Sequence, residues 1–191
     1  MIYGKDKLRA AILSGELTVE SILPLHIEPA SIDLRLASEW LFPRPNALGL
    51  DISRDPIGAC LDTAEPIEYH AIVANEVIIP AHGFILARTH EYIKLCASLT
   101  GWIEGRSSFG RAGLFVQNAG WIYPGFEGTL TLELYNANPY PAKLYAGTRC
   151  CQLIIADVEG NTDACNGTYQ GQVEPKGSKL YKSVREALDG K

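Results

Sequence analysis

Hydrophobic and polar positions follow two rhythms along the chain. Near the N-terminus Leu8, Ala11 and Ile12 recur at helical spacing, and Gly15 follows where a helix commonly stops. This predicts a short helix over Lys5–Ser14. Beyond it the period shortens. Apolar runs bounded by Gly, Pro, Asn and Asp predict strands at 31–36, 71–79, 84–95, 99–104, 114–117, 129–135 and 151–158. Many short strands at such spacing indicate a mainly β chain, folded as a barrel or a double sheet. The cleanest alternation is Thr129-Leu-Thr-Leu-Glu-Leu-Tyr-Asn136. Leu130, Leu132 and Leu134 share one face, and Thr129, Thr131, Glu133 and Tyr135 share the other.

Composition narrows the class. At 191 residues the chain is read as one domain, with no internal repeat and no low-complexity linker. Hydrophobic residues make up 47% and charged residues 20%, which argues against wholesale disorder. No run is long enough to cross a membrane, and the charged stretch 1–9 has no apolar segment behind it, so a cytoplasmic location is expected. The net charge of −5 disfavours a general nucleic-acid role but leaves room for a small anionic ligand. Five cysteines (Cys60, Cys96, Cys150, Cys151, Cys165) and four histidines show no zinc-site spacing. Reduced, mostly structural thiols are expected, and no metal-ligand set.

Three segments carry candidate chemistry. In Glu104-Gly-Arg-Ser-Ser-Phe-Gly-Arg-Ala-Gly-Leu114, two arginines five apart flank two serines. A helix starting at Ser107 would gather backbone N–H groups and guanidiniums about a phosphate; the plainer reading is a capped helix with solvated arginines. In 117–128, Pro-Gly forces a turn, and Trp121, Tyr123 and Phe126 either stack on a base or fill the core. Glu133 is either a solvated carboxylate or one that lines a cavity with a pKa tuned for proton transfer. Toward the C-terminus, Thr168-Tyr-Gln-Gly-Gln172 suits a Gly-hinged lid. Lys176, Lys179, Lys182 and Arg185 recur every third residue, as a solvated terminal helix or a cationic flap.

Taken together these segments resemble the dCTP deaminase branch of the trimeric dUTPase-like superfamily. The resemblance rests on Pro29-Ala-Ser-Ile-Asp-Leu-Arg-Leu36, Gly105-Arg-Ser-Ser-Phe-Gly-Arg-Ala-Gly-Leu114, Ala119-Gly-Trp, Pro124-Gly-Phe-Glu-Gly128, Thr131-Leu-Glu-Leu-Tyr-Asn136 and Tyr169-Gln-Gly-Gln172, in order over roughly residues 1 to 182. It implies a distorted β-barrel or jelly-roll-like fold and a homotrimer with sites between subunits. It also implies a C-terminal tail, 165–191, that closes over nucleotide, and Mg2+ held mainly by the triphosphate. By position, Arg106, Ser107, Ser108 and Arg111 match phosphate and reaction-centre contacts. Thr131, Leu132 and Glu133 match the cytosine pocket, with Glu133 as the catalytic glutamate assisted by Ser107 and Arg111. Ala119, Tyr123, Gln152, Tyr169 and Gln172 match further nucleotide contacts. The implied reaction is zinc-independent hydrolysis of dCTP to dUTP and ammonia, with Arg111 keeping Glu133 ionised.

The chain departs from this pattern at Tyr123, where the family carries an aspartate that binds the sugar hydroxyl and, in diphosphohydrolase members, activates water. A phenol cannot act as that base near neutral pH, so dUTP is the expected product. Cys165 and Thr168 stand where the family has a tail tyrosine and lysine. Three alternatives stay open: a bifunctional deaminase–diphosphatase, favoured by the Phe109-Gly110 and Gln117-Asn118-Ala119 context; a dCMP or modified-cytosine deaminase; and a non-catalytic nucleotide-binding regulator.

Overall fold

The computed structural model describes residues 1–44, 69–117, 120–160, 163 and 166–179. The helix α1 spans Lys5–Ser14 and buries Leu8 and Ala11, with Gly15 left-handed at φ 80° closing it. The rest is mainly β. In chain order the strands are β1 (Leu17–Glu20), β2 (His26–Ile27), β3 (Ile32–Arg35), β4 (Glu39–Pro43), β5 (Tyr69–Val73) and β6 (Glu76–Ile79). They continue as β7 (Phe84–Arg88), β8 (Tyr92–Leu95) and β9 (Leu99–Gly105), then the single-turn helix α2 (Ser107–Arg111) and β10 (Leu114–Gln117). The last are β11 (Trp121–Ile122), β12 (Glu127–Gly128), β13 (Thr131–Asn136), β14 (Ala142–Tyr145) and β15 (Arg149–Asp157).

Two five-stranded sheets, ordered β10-β13-β7-β4-β5 and β11-β9-β15-β3-β2, dominate, and the smaller sheets β1-β8-β12 and β14-β6 fill the ends. The main sheets contribute to one core, in which Ile32, Leu34, Leu153 and Ile155 meet Trp40, Ile85, Ala87, Leu132 and Leu134. The double-sheet expectation matches this arrangement; among the described residues the sheets do not close into a barrel.

Two predicted strands are each divided. Residues 71–79 split at Ala74 and Asn75, because β5 pairs with β4 while β6 pairs with β14 in another sheet. The Trp40 indole donates to the Ala74 carbonyl at 2.9 Å and pins that switch. Residues 84–95 split at 89–91, where the chain leaves one sheet for another. There the buried Glu91 accepts from the Arg35 backbone N–H and from its guanidinium, both at 2.8 Å. The Thr89 hydroxyl donates to the Glu91 carbonyl and accepts from Leu130 N–H, at 2.8 and 3.0 Å. A buried ion pair and a hydroxyl thus make a corner that hydrophobic alternation does not mark.

A register shift between Arg149 and Cys151 accommodates Cys150, whose sulfur lies 3.8 Å from that of Cys151. Both thiols are buried and unbridged, and Cys96 is a free half-buried thiol; Cys60 and Cys165 lie outside the described residues. The stretch 176–179 is not helical, and Lys182, Arg185 and Lys191 of the expected terminal helix lie outside the described residues. No helix of the described residues is long and apolar enough to cross a membrane.

Candidate active site

The alternation of β13 decides what Glu133 faces. Leu132 and Leu134 are each 1% exposed in the core, while Thr131, Glu133 and Tyr135 are half-buried on the opposite face. Glu133 therefore lines a cleft of about 470 Å³ rather than a solvated sheet surface. Its walls are apolar, including Leu86, directly opposite Glu133 on β7, with Ile103 and Trp121. Burial pushes the Glu133 carboxyl above its ordinary value. Among the described residues, burial is the cause of that shift. Leu132, expected in a binding pocket, offers only its main chain, because its side chain belongs to the core.

The C-terminal segment covers this cleft. Gly171 N–H donates to the Glu127 carbonyl at 2.9 Å, and Thr129 N–H donates to the Gln172 carbonyl at 2.8 Å. The Gln172 side-chain amide donates to the Thr129 carbonyl at 2.8 Å, while its Oε1 is buried with no hydrogen-bond partner among the described residues. Lys176 N–H donates to the Thr131 hydroxyl at 3.1 Å. Tyr169, Gln172 and Lys176 thereby join the lining of the Glu133 cleft.

Among the aromatic residues of 117–128 the outcome is mixed. Phe126 is a core residue at 8% exposure. Trp121 is exposed, stacks on Trp102 with centroids 5.9 Å apart, and borders the Glu133 cleft. Tyr123 is also exposed, but it faces a neighbouring apolar cleft with Trp121, Pro124 and Val158. Asn118 and Ala119 lie outside the described residues.

Arg106, Ser107, Ser108 and Arg111 do not join Glu133 within one chain. The antiparallel register of β10 on β13 places Leu114, just after α2, opposite Asn136, three residues beyond Glu133. At about 3.3 Å per residue that is roughly 10 Å along the strand. The helix α2 begins after an extended Arg106 with no side-chain cap, so neither serine serves as its N-cap.

A second constellation forms around Arg106. Across β3, β15 and β9 the register aligns Asp33, Gln152 and Glu104. These line a cleft with Glu28, Ser31 and Arg106. Asp33 is 1% exposed. Its Oδ2 accepts from Arg149 at 2.9 Å and stands 3.4 Å from the Arg106 guanidinium. Its Oδ1 is buried with no hydrogen-bond partner among the described residues. Gln152 accepts from the Ser31 hydroxyl at 3.0 Å. Side-chain ligand atoms of His26, Glu28 and Asp33 lie within 4.8 Å of one another, a grouping that no histidine or cysteine spacing announces. Asp33, Arg149 and Glu28 are members of this constellation that sequence reasoning did not single out; cross-strand register is what brings Asp33 to it.

A family model described as dCTP deaminase-like matches residues 2–158. A protein named "dCTP deaminase, dUMP-forming" from Persephonella marina is 42% identical over 184 residues, covering 95% of this chain and 98% of its own. One of the same name from Aquifex aeolicus is 40% identical over 95% of this chain and 96% of its own. A "dCTP deaminase" from Pyrobaculum neutrophilum is 34% identical over 93% of this chain and 97% of its own. The crystal structure of a 2'-deoxycytidine 5'-triphosphate deaminase from Agrobacterium tumefaciens shares the fold, with TM-score 0.59 and 22% identity over 81% of this chain and 47% of its own.

Proposed function

Because the chain belongs to the dCTP deaminase-like family, we propose that it hydrolyses the cytosine amino group of dCTP and releases ammonia. The observation that carries this reading is Glu133 at the wall of an apolar, tail-covered cleft. Deamination adds water to C4 with one of its protons delivered to N3; the proton of the new C4 hydroxyl then passes to the amino group, the C4–N bond breaks, and ammonia leaves as the C4 carbonyl forms. Glu133 takes the proton from the attacking water and passes it to the ring. A carboxyl raised by burial carries a proton at a pH nearer neutrality, which suits a group that both accepts and returns it. Apolar walls and the covering segment exclude bulk water and strengthen the remaining polar contacts.

The separation of Glu133 from Ser107 and Arg111 supports an assembly in which one copy supplies the carboxylate and the next supplies the serine and arginine. A homotrimer closes such a head-to-tail contact. Arg111 from the neighbour then favours the ionised carboxylate that burial alone disfavours.

The nucleotide brings Mg2+ with its triphosphate. Asp33, 1% exposed and already held by the Arg106 and Arg149 guanidiniums, does not fit such an ion, which would be held by the phosphates themselves. The ion would neutralise phosphate charge.

Tyr123, exposed and outside the Glu133 cleft, supports dUTP as the released nucleotide. The relatives' names support a second reading, in which the product continues to dUMP and pyrophosphate. Incubation with dCTP, dCMP and dUTP, reading ammonia and pyrophosphate separately, tests both. Ammonia from dCTP alone supports the first; pyrophosphate in step with ammonia selects the second. Pyrophosphate release gained only in Tyr123→Asp assigns the difference to that residue.

A further inference from the structure

Arg106 borders two clefts of opposite sign. On one side lie the carboxylates Glu28, Asp33 and Glu104. On the other a cleft of about 440 Å³ is lined by Arg106, Lys143 and Arg149 with Ser108, and none of its described lining residues is acidic. In a chain of net charge −5 this is a local reversal. The carboxylate that orders it sits behind it: Asp33 is 1% exposed, whereas the Arg106 and Arg149 side chains are 25% and 34% exposed. One buried oxygen therefore holds two guanidiniums side by side, each a fork of five N–H donors of which Asp33 takes few. Arg149 also donates to His26 Nδ1 at 3.1 Å, which fixes its orientation. Lys143 pairs with Glu76 at 2.8 Å, but both side chains are about half exposed, and such pairs exchange readily.

We infer that Arg149 and Lys143 bind anionic oxygen, extending the Arg106–Ser108 segment into a cradle for the polyphosphate of the nucleotide. Planar guanidiniums offer paired donors that match phosphate oxygens, and an ammonium adds a point charge at the rim. Fixing the two forks on Asp33 before the ligand arrives lowers the ordering cost of binding. The base end of the nucleotide belongs to the separate cleft lined by Glu133, Leu86 and Trp121, so these two residues act on phosphate affinity and not on proton transfer.

This inference rests on the nucleotide reading above, and the test separates the two. Inorganic tripolyphosphate is titrated calorimetrically into the full-length wild type, Arg149→Gln, Arg149→Lys and Lys143→Gln. Ammonia release from dCTP, and inhibition of it by dCMP, are measured in parallel. Loss of one charge-assisted phosphate contact corresponds to about a tenfold weakening. Arg149→Gln and Lys143→Gln are therefore expected to weaken tripolyphosphate and raise the KM for dCTP by about that factor, with kcat within twofold and dCMP inhibition unchanged. Arg149→Lys recovers part of the loss. The exposed Lys143 keeps the test valid if Arg149→Gln unsettles Asp33. Wild-type tripolyphosphate binding in both glutamine variants, no binding to wild type, or equal losses for dCTP and dCMP would overturn the inference. Tripolyphosphate binding that depends on both residues, in a protein that yields no ammonia from dCTP, would uphold the cradle and sink the deaminase reading.

Discussion

Gly128 and Gln172 pack so closely that a methyl group on Gly128 would lie 2.6 Å from the Gln172 backbone oxygen and 3.1 Å from its backbone nitrogen. Gly128 also has φ 142°, a region other residues rarely adopt. The contact lets Thr129 and Gln172 exchange hydrogen bonds at 2.8 Å in both directions. The C-terminal segment thus reaches the Glu133 cleft because one position carries no side chain.

Gly128→Ala is expected to release that segment while the core stays folded. Strain at such a position costs about 1–3 kcal/mol. Limited proteolysis within 167–179 should accelerate severalfold, and the KM for dCTP should rise by about tenfold with a smaller change in kcat. Unchanged protease resistance of the segment would show that the latch does not depend on Gly128.

Burial alone raises the Glu133 carboxyl, and the sign of its pH effect follows. An acid raised by folding contributes stability that is present in full below its unfolded pKa, about 4.3, and lost as pH rises through the raised value. Glu133→Gln removes this loss. The isolated variant should melt with wild type near pH 4 and above it at about pH 7.5. In the separated chain, a melting difference that does not grow with pH contradicts the buried placement.

Much of this site was legible in the chain. The alternation around Glu133 placed it opposite the leucine face, and Gly15 marked the helix end. The corner at 89–91 was not legible, because its cause is a buried charge pair between residues 56 positions apart. The strands β1, β4 and β14 were also missed; each is four or five residues long and takes its place from a distant partner. The pairing of Asp33 with Arg106 and Arg149 likewise exists only once three strands are in register.

Glu91→Ala tests that corner. It leaves Arg35, 9% exposed at its side chain, without its buried partner. Breaking such a pair costs about 3–5 kcal/mol. Denaturant unfolding should show a loss in that range; a loss below about 1 kcal/mol would mean that water replaces the carboxylate.

At the opposite edge the Lys7 ammonium, with the Tyr3 hydroxyl, lowers the Asp157 carboxyl to about 2. A lowered acid contributes stability above its unfolded pKa, about 3.9, and loses it as pH falls toward the folded value. Asp157→Asn should therefore melt below wild type at neutral pH, and the gap should close between about pH 4 and pH 2. A gap independent of pH would assign the effect to geometry rather than charge.

The central measurement is ammonia release from dCTP by wild type and Glu133→Gln, paired with dCTP binding to both. The variant should bind dCTP within about threefold of wild type and release ammonia at least a hundredfold more slowly, the scale expected on removing a general acid–base group. Wild-type turnover in Glu133→Gln would contradict the assignment of proton transfer to this carboxylate.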